Sequence, residues 1–257
     1  MLFVILAATL MKIKETADNL WLKKIPIAHR GLHSNDSGIP ENSIKAFENA
    51  IKHNYAIELD VFVISDQQVL VFHDDNLKRM CGVDKSINTL DSHNYKRYKL
   101  LKTNENIPLL QDVFDVVDGR VPILIEIKKQ TGVKNTNSII LNTLLGYKGP
   151  VAIQSFNPFT IGWFSKNAPS IIRGQISSDF KNEEMNFVRK YLLRKLKLNF
   201  ISKPHFIAYD VRDLPNSLIE RIRRNGTLIL GWTVDSKESY DRIKMFCDNI
   251  IFENFNP

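Results

Sequence analysis

The stretch "AIELDVFVISDQQVLVFHDD", residues 56–75, reads as strand, short turn, strand. Between Ser65 and Val69 there is room for a tight turn only, whereas parallel strands need a crossover of a dozen or more residues. Residues 56–74 are therefore expected to form an antiparallel hairpin. Its arms carry Glu58, Asp60, His73, Asp74 and Asp75 among Ile, Leu, Val and Phe, so chemistry is built into segments that should be burying side chains.

Outward from the hairpin, short β-branched runs recur between turn signals. "PIAHRG" (26–31) precedes it, and "PILIEIK" (122–128), "VAIQSF" (151–156), "IIRGQI" (171–176), "FIAYDV" (206–211), "LILGWTV" (228–234) and "NIIFENF" (249–255) follow. Helical sequence lies between most of them. In "ENSIKAFENAIKHN" (41–54), Ile44, Phe47, Ala50 and Ile51 make an amphipathic stripe. "SLIERIRRNG" (217–226) ends in a basic turn and Gly226, and Ser236 is a candidate N-cap for 236–249. Strands alternating with helices imply parallel pairing in a doubly wound sheet or a closed barrel. The strands number nine, one too many for an eight-stranded barrel; taking "VLVFHD" (69–74) out as the projecting hairpin arm leaves eight. The expected architecture is an α/β barrel over residues 25–257 as one domain. The polar segment from about 75 to 118 is then a small helical insertion, and residues 1–24 are an apolar segment with its lead-in.

Composition is that of a globular chain: 257 residues, 44% hydrophobic and 25% charged. A net charge of +7 favours anionic partners, but the basic residues are scattered and no recognition module for nucleic acid appears. "KYLLRKLKLNF" (190–200) reads as a packed helix with a solvated basic face. Cys81 and Cys247 have no CxxC spacing and make no disulfide framework, which fits reduced thiols in a cytoplasmic setting. The run "MLFVILAATLM" falls short of the roughly 20 apolar residues that span a bilayer and has no cleavage site of the A-x-A kind. A packed helix, an interfacial anchor and the remnant of a longer membrane segment all fit it, so peripheral membrane contact is an open expectation.

Catalytic residues of such barrels sit at the C-terminal ends of the strands. Those ends offer His29 and Arg30, Glu58 and Asp60, Glu126 and Lys128, Gln154, and Trp232. The i, i+2 spacing of Glu58 with Asp60, and of Glu126 with Lys128, points each pair to one face, the barrel interior. Ile57, Leu59 and Val61 cover the other face, which argues against a solvated strand. Three buried acids without matching cations are costly, and an oxygen-ligated Mg²⁺ or Ca²⁺ would relieve them. His33, His53, His93 and His205 suggest nothing beyond surface or structural roles.

"AHRG…PENS…AF" (28–47), "ELDV" (58–61), "VFHDD" (71–75), "IEIK" (125–128), "QSF" (154–156) and "GWTV" (231–234) together resemble the glycerophosphodiester phosphodiesterase family, in the family's order across most of the chain. The resemblance implies a TIM (β/α)8 barrel with a small insertion after the His-Asp motif. It implies that His29 and His73 form the acid–base pair, that Glu58, Asp60 and Glu126 hold the divalent metal, and that Arg30 and Lys128 meet the phosphate. Glu41 and Gln154 would lie in the same pocket, and Trp232 would pack against glycerol. A small glycerophosphodiester is the implied substrate and glycerol 3-phosphate a product; a lysophospholipase D-like action on larger lipids is the alternative. Two positions depart from the family's pattern: Ser43 where Thr is usual, and "IIFENF", with Glu253 and Asn254, where the last strand commonly ends in Thr-Asp. The second puts the pocket rim, and so substrate choice, in question.

Overall fold

The computed structural model describes residues 19–130 and 132–257. Its nine strands are β1 (Ile27–Ala28), β2 (Ala56–Val63), β3 (Val69–Val71), β4 (Ile123–Ile127), β5 (Val151–Ser155), β6 (Ile172–Ser177), β7 (Phe206–Asp210), β8 (Leu228–Val234) and β9 (Asn249–Phe252). Eight of them pair in parallel in the order β1-β2-β4-β5-β6-β7-β8-β9, and β9 returns to β1 to close the barrel. β3 stays outside the closure and pairs antiparallel with β2, Val61 opposite Val71 and Val63 opposite Val69. The hairpin and the count of eight thus hold together: a turn this short allows only antiparallel return.

The period of two along each strand separates three bodies of apolar side chains. Ile27, Ala56, Leu124, Ala152, Phe206 and Leu228 fill the barrel's interior at its lower end, with Trp21 and Leu22 of the short helix Trp21–Lys24 packed among them. Ile57, Leu59, Val61, Ile123, Ile125 and Ile153 face outward onto the ring of helices. Phe62, Ile64, Leu70 and Phe72 of the hairpin instead join Met80, Ile87, Leu90, Tyr95 and Leu100 of the polar segment in a small core of their own. The helix that ends that segment, Leu110–Val117, packs on the main core as one of the outer ring.

Local chemistry starts the helices where the pattern places them. The Ser43 hydroxyl accepts from the Ala46 N–H to cap Ile44–Lys52, and Ser236 accepts from Ser239 to cap Lys237–Ile243. The basic stretch 190–200 differs from its reading as one packed helix. Helix Phe187–Arg194 stops, Leu196 turns through φ +52°, and Asn199–Ser202 forms a separate turn. No residue of Phe187–Arg194 is buried, and the helix stands beside the strand ends at Asp210 and Trp232. No described helix is long and apolar enough to cross a membrane. The apolar run at 1–12 lies outside the described residues.

Candidate active site

The upper half of the barrel interior is polar where the lower half is apolar. Asp60 stands opposite Glu126 in the β2–β4 register, and Glu126 opposite Gln154 in β4–β5, so one level of the sheet carries all three. Glu58 lies two residues below Asp60 on the same face. Glu58, Asp60 and Glu126 are buried, and each offers an oxygen within 4.8 Å of the others'. Burial, reinforced by Asp60 and Glu126, pushes the Glu58 carboxyl well above the usual carboxylate range. A divalent cation beside it reverses that pressure, because it favours ionised oxygen ligands. The trio therefore fits a hard cation in both donor type and electrostatic demand.

Cations already edge the cluster. Lys128 Nζ lies 2.8 Å from Glu126 and 3.3 Å from Asp60; burial opposes its charge, but the two carboxylates outweigh that and raise its pKa. Arg30 donates its backbone N–H to Glu58 at 3.1 Å and a guanidinium N–H to Glu41 at 2.7 Å. Burial likewise disfavours the Glu41 charge, yet hydrogen bonds from Arg79 and the charge of Arg30 pull its pKa down to about 2. Asn42, in the left-handed region at φ +54°, turns its side-chain amide onto Asp60 at 3.0 Å.

The two histidines share one arrangement. His29 Nδ1 lies 2.6 Å from Glu253 and His73 Nδ1 lies 2.6 Å from Asp74. The hydrogen bond from His29 holds the Glu253 carboxyl low, and Asp74 is held low, against burial, by His73 and Arg79. Ionised carboxylates only accept, so each ring donates its Nδ1 proton to its carboxylate, which leaves Nε2 as the nitrogen that can take up or give a proton. Burial lowers the His29 pKa, with Glu253 opposing. Both rings line one cavity of about 110 Å³, together with Arg30, Glu58, Glu126, Lys128, Gln154 and Trp232. Within it the Gln154 Oε1 and Trp232 Nε1 atoms are buried without a hydrogen-bond partner among the described residues, as groups reserved for a polar ligand would be.

The structure thus gathers every residue singled out from the sequence around one pocket. Glu41 borders it through Arg30, and Asp60 through Lys128. Three participants were missed. Glu253 registered only as a departure at the end of the last strand, although an acid there lies beside the first strand once the barrel closes. Asp74 adjoins His73 in the chain, and that adjacency is the signal the sequence offers. Arg79, which donates to both Asp74 (2.7 Å) and Glu41 (2.8 Å), belongs to the insertion and gave no sign in the sequence. His33 has its Nε2 3.6 Å from Glu253.

A parallel barrel whose mouth collects cations, carboxylates and two oriented imidazoles defines a class, the barrel hydrolases that handle an anionic ester. The chain belongs to the glycerophosphoryl diester phosphodiesterase family, whose model matches residues 29–255. A glycerophosphodiester phosphodiesterase of Caldanaerobacter subterraneus is 27% identical over 249 residues, covering 91% of this chain and 95% of that protein. A human lysophospholipase D is 34% identical over 120 residues, 42% of this chain and 37% of that protein. Among solved structures, an Oleispira antarctica phosphodiesterase in complex with the product sn-glycerol-3-phosphate superposes with a TM-score of 0.73 at 21% identity, covering 88% of this chain and 91% of that one. The Thermotoga maritima glycerophosphodiester phosphodiesterase gives 0.67 at 23% identity over 89% and 94%.

Proposed function

We propose that the chain hydrolyses glycerophosphodiesters to glycerol 3-phosphate and an alcohol, with Glu58, Asp60 and Glu126 holding a Ca²⁺ or Mg²⁺ ion. The observation that carries this reading is the pair of histidines, each fixed by a carboxylate on Nδ1, in one cavity with the three acids. A bound divalent cation would supply charge neutralisation for the phosphate. Arg30 and Lys128 attract and orient the diester anion, and charge developing on its oxygens is stabilised by the same cations. His29 and His73 present Nε2 to the pocket, one to take a proton from the attacking hydroxyl and one to deliver a proton to the departing alkoxide. Neither Arg30 nor Lys128 can replace them, since guanidinium does not deprotonate and the lysine is held charged by Asp60 and Glu126. Gln154 and Trp232 border the place where the glycerol would lie, and Glu41 fixes Arg30.

The test is a coupled assay for glycerol 3-phosphate on several soluble glycerophosphodiesters, with and without chelator. Turnover that chelator abolishes and Ca²⁺ or Mg²⁺ restores is expected. Turnover indifferent to chelator, or hydrolysis of none of the diesters, would overturn the reading. Action on larger lipids, the second reading, is favoured by one observation, an apolar groove that opens from the same pocket.

A further inference from the structure

His29 and His73 each meet a carboxylate through Nδ1, but what stands behind the two carboxylates differs. Both oxygens of Asp74 accept from Arg79, at 2.7 and 3.0 Å, so a fixed cation already holds its outer side. Behind Glu253 stands a second imidazole instead. His33 Nε2 lies 3.6 Å from the Glu253 Oε2, beyond hydrogen-bond distance, and its side chain is only 8% exposed. Both of its ring nitrogens are buried, and neither has a hydrogen-bond partner among the described residues. A buried imidazole left so is costly, and it asks for a ligand.

Three donor atoms converge here. A nitrogen of His29, a nitrogen of His33 and an oxygen of Glu253 all lie within 4.8 Å of one another. Zinc bonds of about 2.0–2.1 Å set tetrahedral ligand atoms about 3.3 Å apart. The 2.6 Å contact of His29 with Glu253 would widen to reach that spacing, and the 3.6 Å contact of His33 would barely move. Two imidazoles and a carboxylate suit Zn²⁺, whereas Mg²⁺ and Ca²⁺ prefer oxygen alone. The donor set is therefore unlike the all-oxygen trio of Glu58, Asp60 and Glu126. Glu253, 26% exposed at its side chain, gives an ion a way in from solvent.

Resting on the acid–base reading of His29 above, we propose that His29, His33 and Glu253 form a second metal site, which takes Zn²⁺ and switches the enzyme off. Zinc on Nδ1 displaces the proton that His29 donates to Glu253. The neutral ring then carries its one proton on Nε2 and has no lone pair there. It cannot take up a proton, and as a neutral imidazole it is too weak an acid to give one near neutral pH. Occupancy thus inhibits without touching the carboxylate trio.

The experiment holds Ca²⁺ at saturation and follows glycerophosphocholine turnover by the full chain against free Zn²⁺. His33→Ala and His33→Gln should each raise the half-inhibiting Zn²⁺ concentration about 10²-fold, since losing even a group that only orients a metal ligand costs roughly 10–100-fold. Turnover without zinc should be essentially unchanged in both, because His33 does not line the catalytic cavity. Independently of catalysis, calorimetry of the Ca²⁺-loaded protein should show a zinc site in the parent that is lost in both His33 variants and in Glu253→Gln. Equal inhibition of parent and His33 variants would place the zinc elsewhere and overturn the proposal. So would zinc binding that the His33 variants lose but that leaves turnover untouched in the parent. If no diester is hydrolysed, the phosphodiesterase reading falls, and calorimetry alone decides whether the three residues hold zinc.

Discussion

His29 and His73 differ from the other imidazoles in having an ionised carboxylate on one nitrogen and the pocket on the other. Replacing either by Ala should lower kcat by about 10²–10⁴-fold, the usual worth of a positioned acid or base, and leave metal affinity by calorimetry nearly unchanged. Turnover within about threefold of the parent would remove that residue from the mechanism, being far below the effect of a general acid or base. Glu253 acts through His29. Its carboxylate accepts from the ring and favours the imidazolium, so it raises the His29 pKa against burial, which lowers it. Glu253→Gln keeps the size and removes the charge, so the His29 pKa must fall. The limb of the pH–kcat/KM profile that depends on His29 should then move to lower pH, with turnover reduced as the tautomer is no longer fixed. A profile that drops uniformly without moving would make Glu253 a packing residue only.

At the scale of the element, the turn after β1 decides whether Arg30 reaches the acids. Arg30 and Gly31 both lie in the left-handed region, at φ +53° and +80°. A Cβ on Gly31 would come within 2.9 Å of the Ala46 backbone and the Phe47 ring, on the helix that Ser43 caps. Gly31→Ala should therefore cost about 1–3 kcal/mol of stability by denaturant melting, from overpacking and strain together. It should also lower turnover, because displacing the turn moves the Arg30 N–H from Glu58 and its guanidinium from Glu41. A variant as stable and active as the parent would show that the turn gives way freely. The hairpin shows the same coupling: its Val61, Val63, Val69 and Val71 face the main core, and its Phe62, Leu70 and Phe72 hold the insertion that supplies Arg79.

At the scale of the molecule, one layer divides the barrel. Apolar side chains fill its lower interior, and carboxylates with cations fill the level above. A cation joining Glu58, Asp60 and Glu126 ties together β2 and β4, so binding should stabilise the whole fold. Ca²⁺ or Mg²⁺ at a hundredfold excess over Kd should add about 2.7 kcal/mol, seen as a rise in Tm that chelator reverses. Glu58→Gln, Asp60→Asn and Glu126→Gln should each diminish that rise. No rise with either ion, or an equal rise in all three variants, would remove the metal from this site.

The barrel was legible because its signals are local. A tight turn forces antiparallel pairing, a period of two sorts the faces, and strand ends carry the polar residues, so the hairpin and the inward acids followed from neighbours in the chain, while closure rested on the count of eight remaining strands. Tertiary structure alone decided the second partners. Glu253 is 224 residues from His29 and meets it because β9 closes on β1, a contact that no local pattern encodes. Arg79 reaches Glu41 and Asp74 only after the insertion has folded onto the hairpin. The amphipathic stretch 190–200 carries an apolar stripe whether or not something covers it. Placing the helix over the mouth, beside Trp232, is what turns that stripe into the wall of a groove, because burial depends on what the folded chain puts opposite.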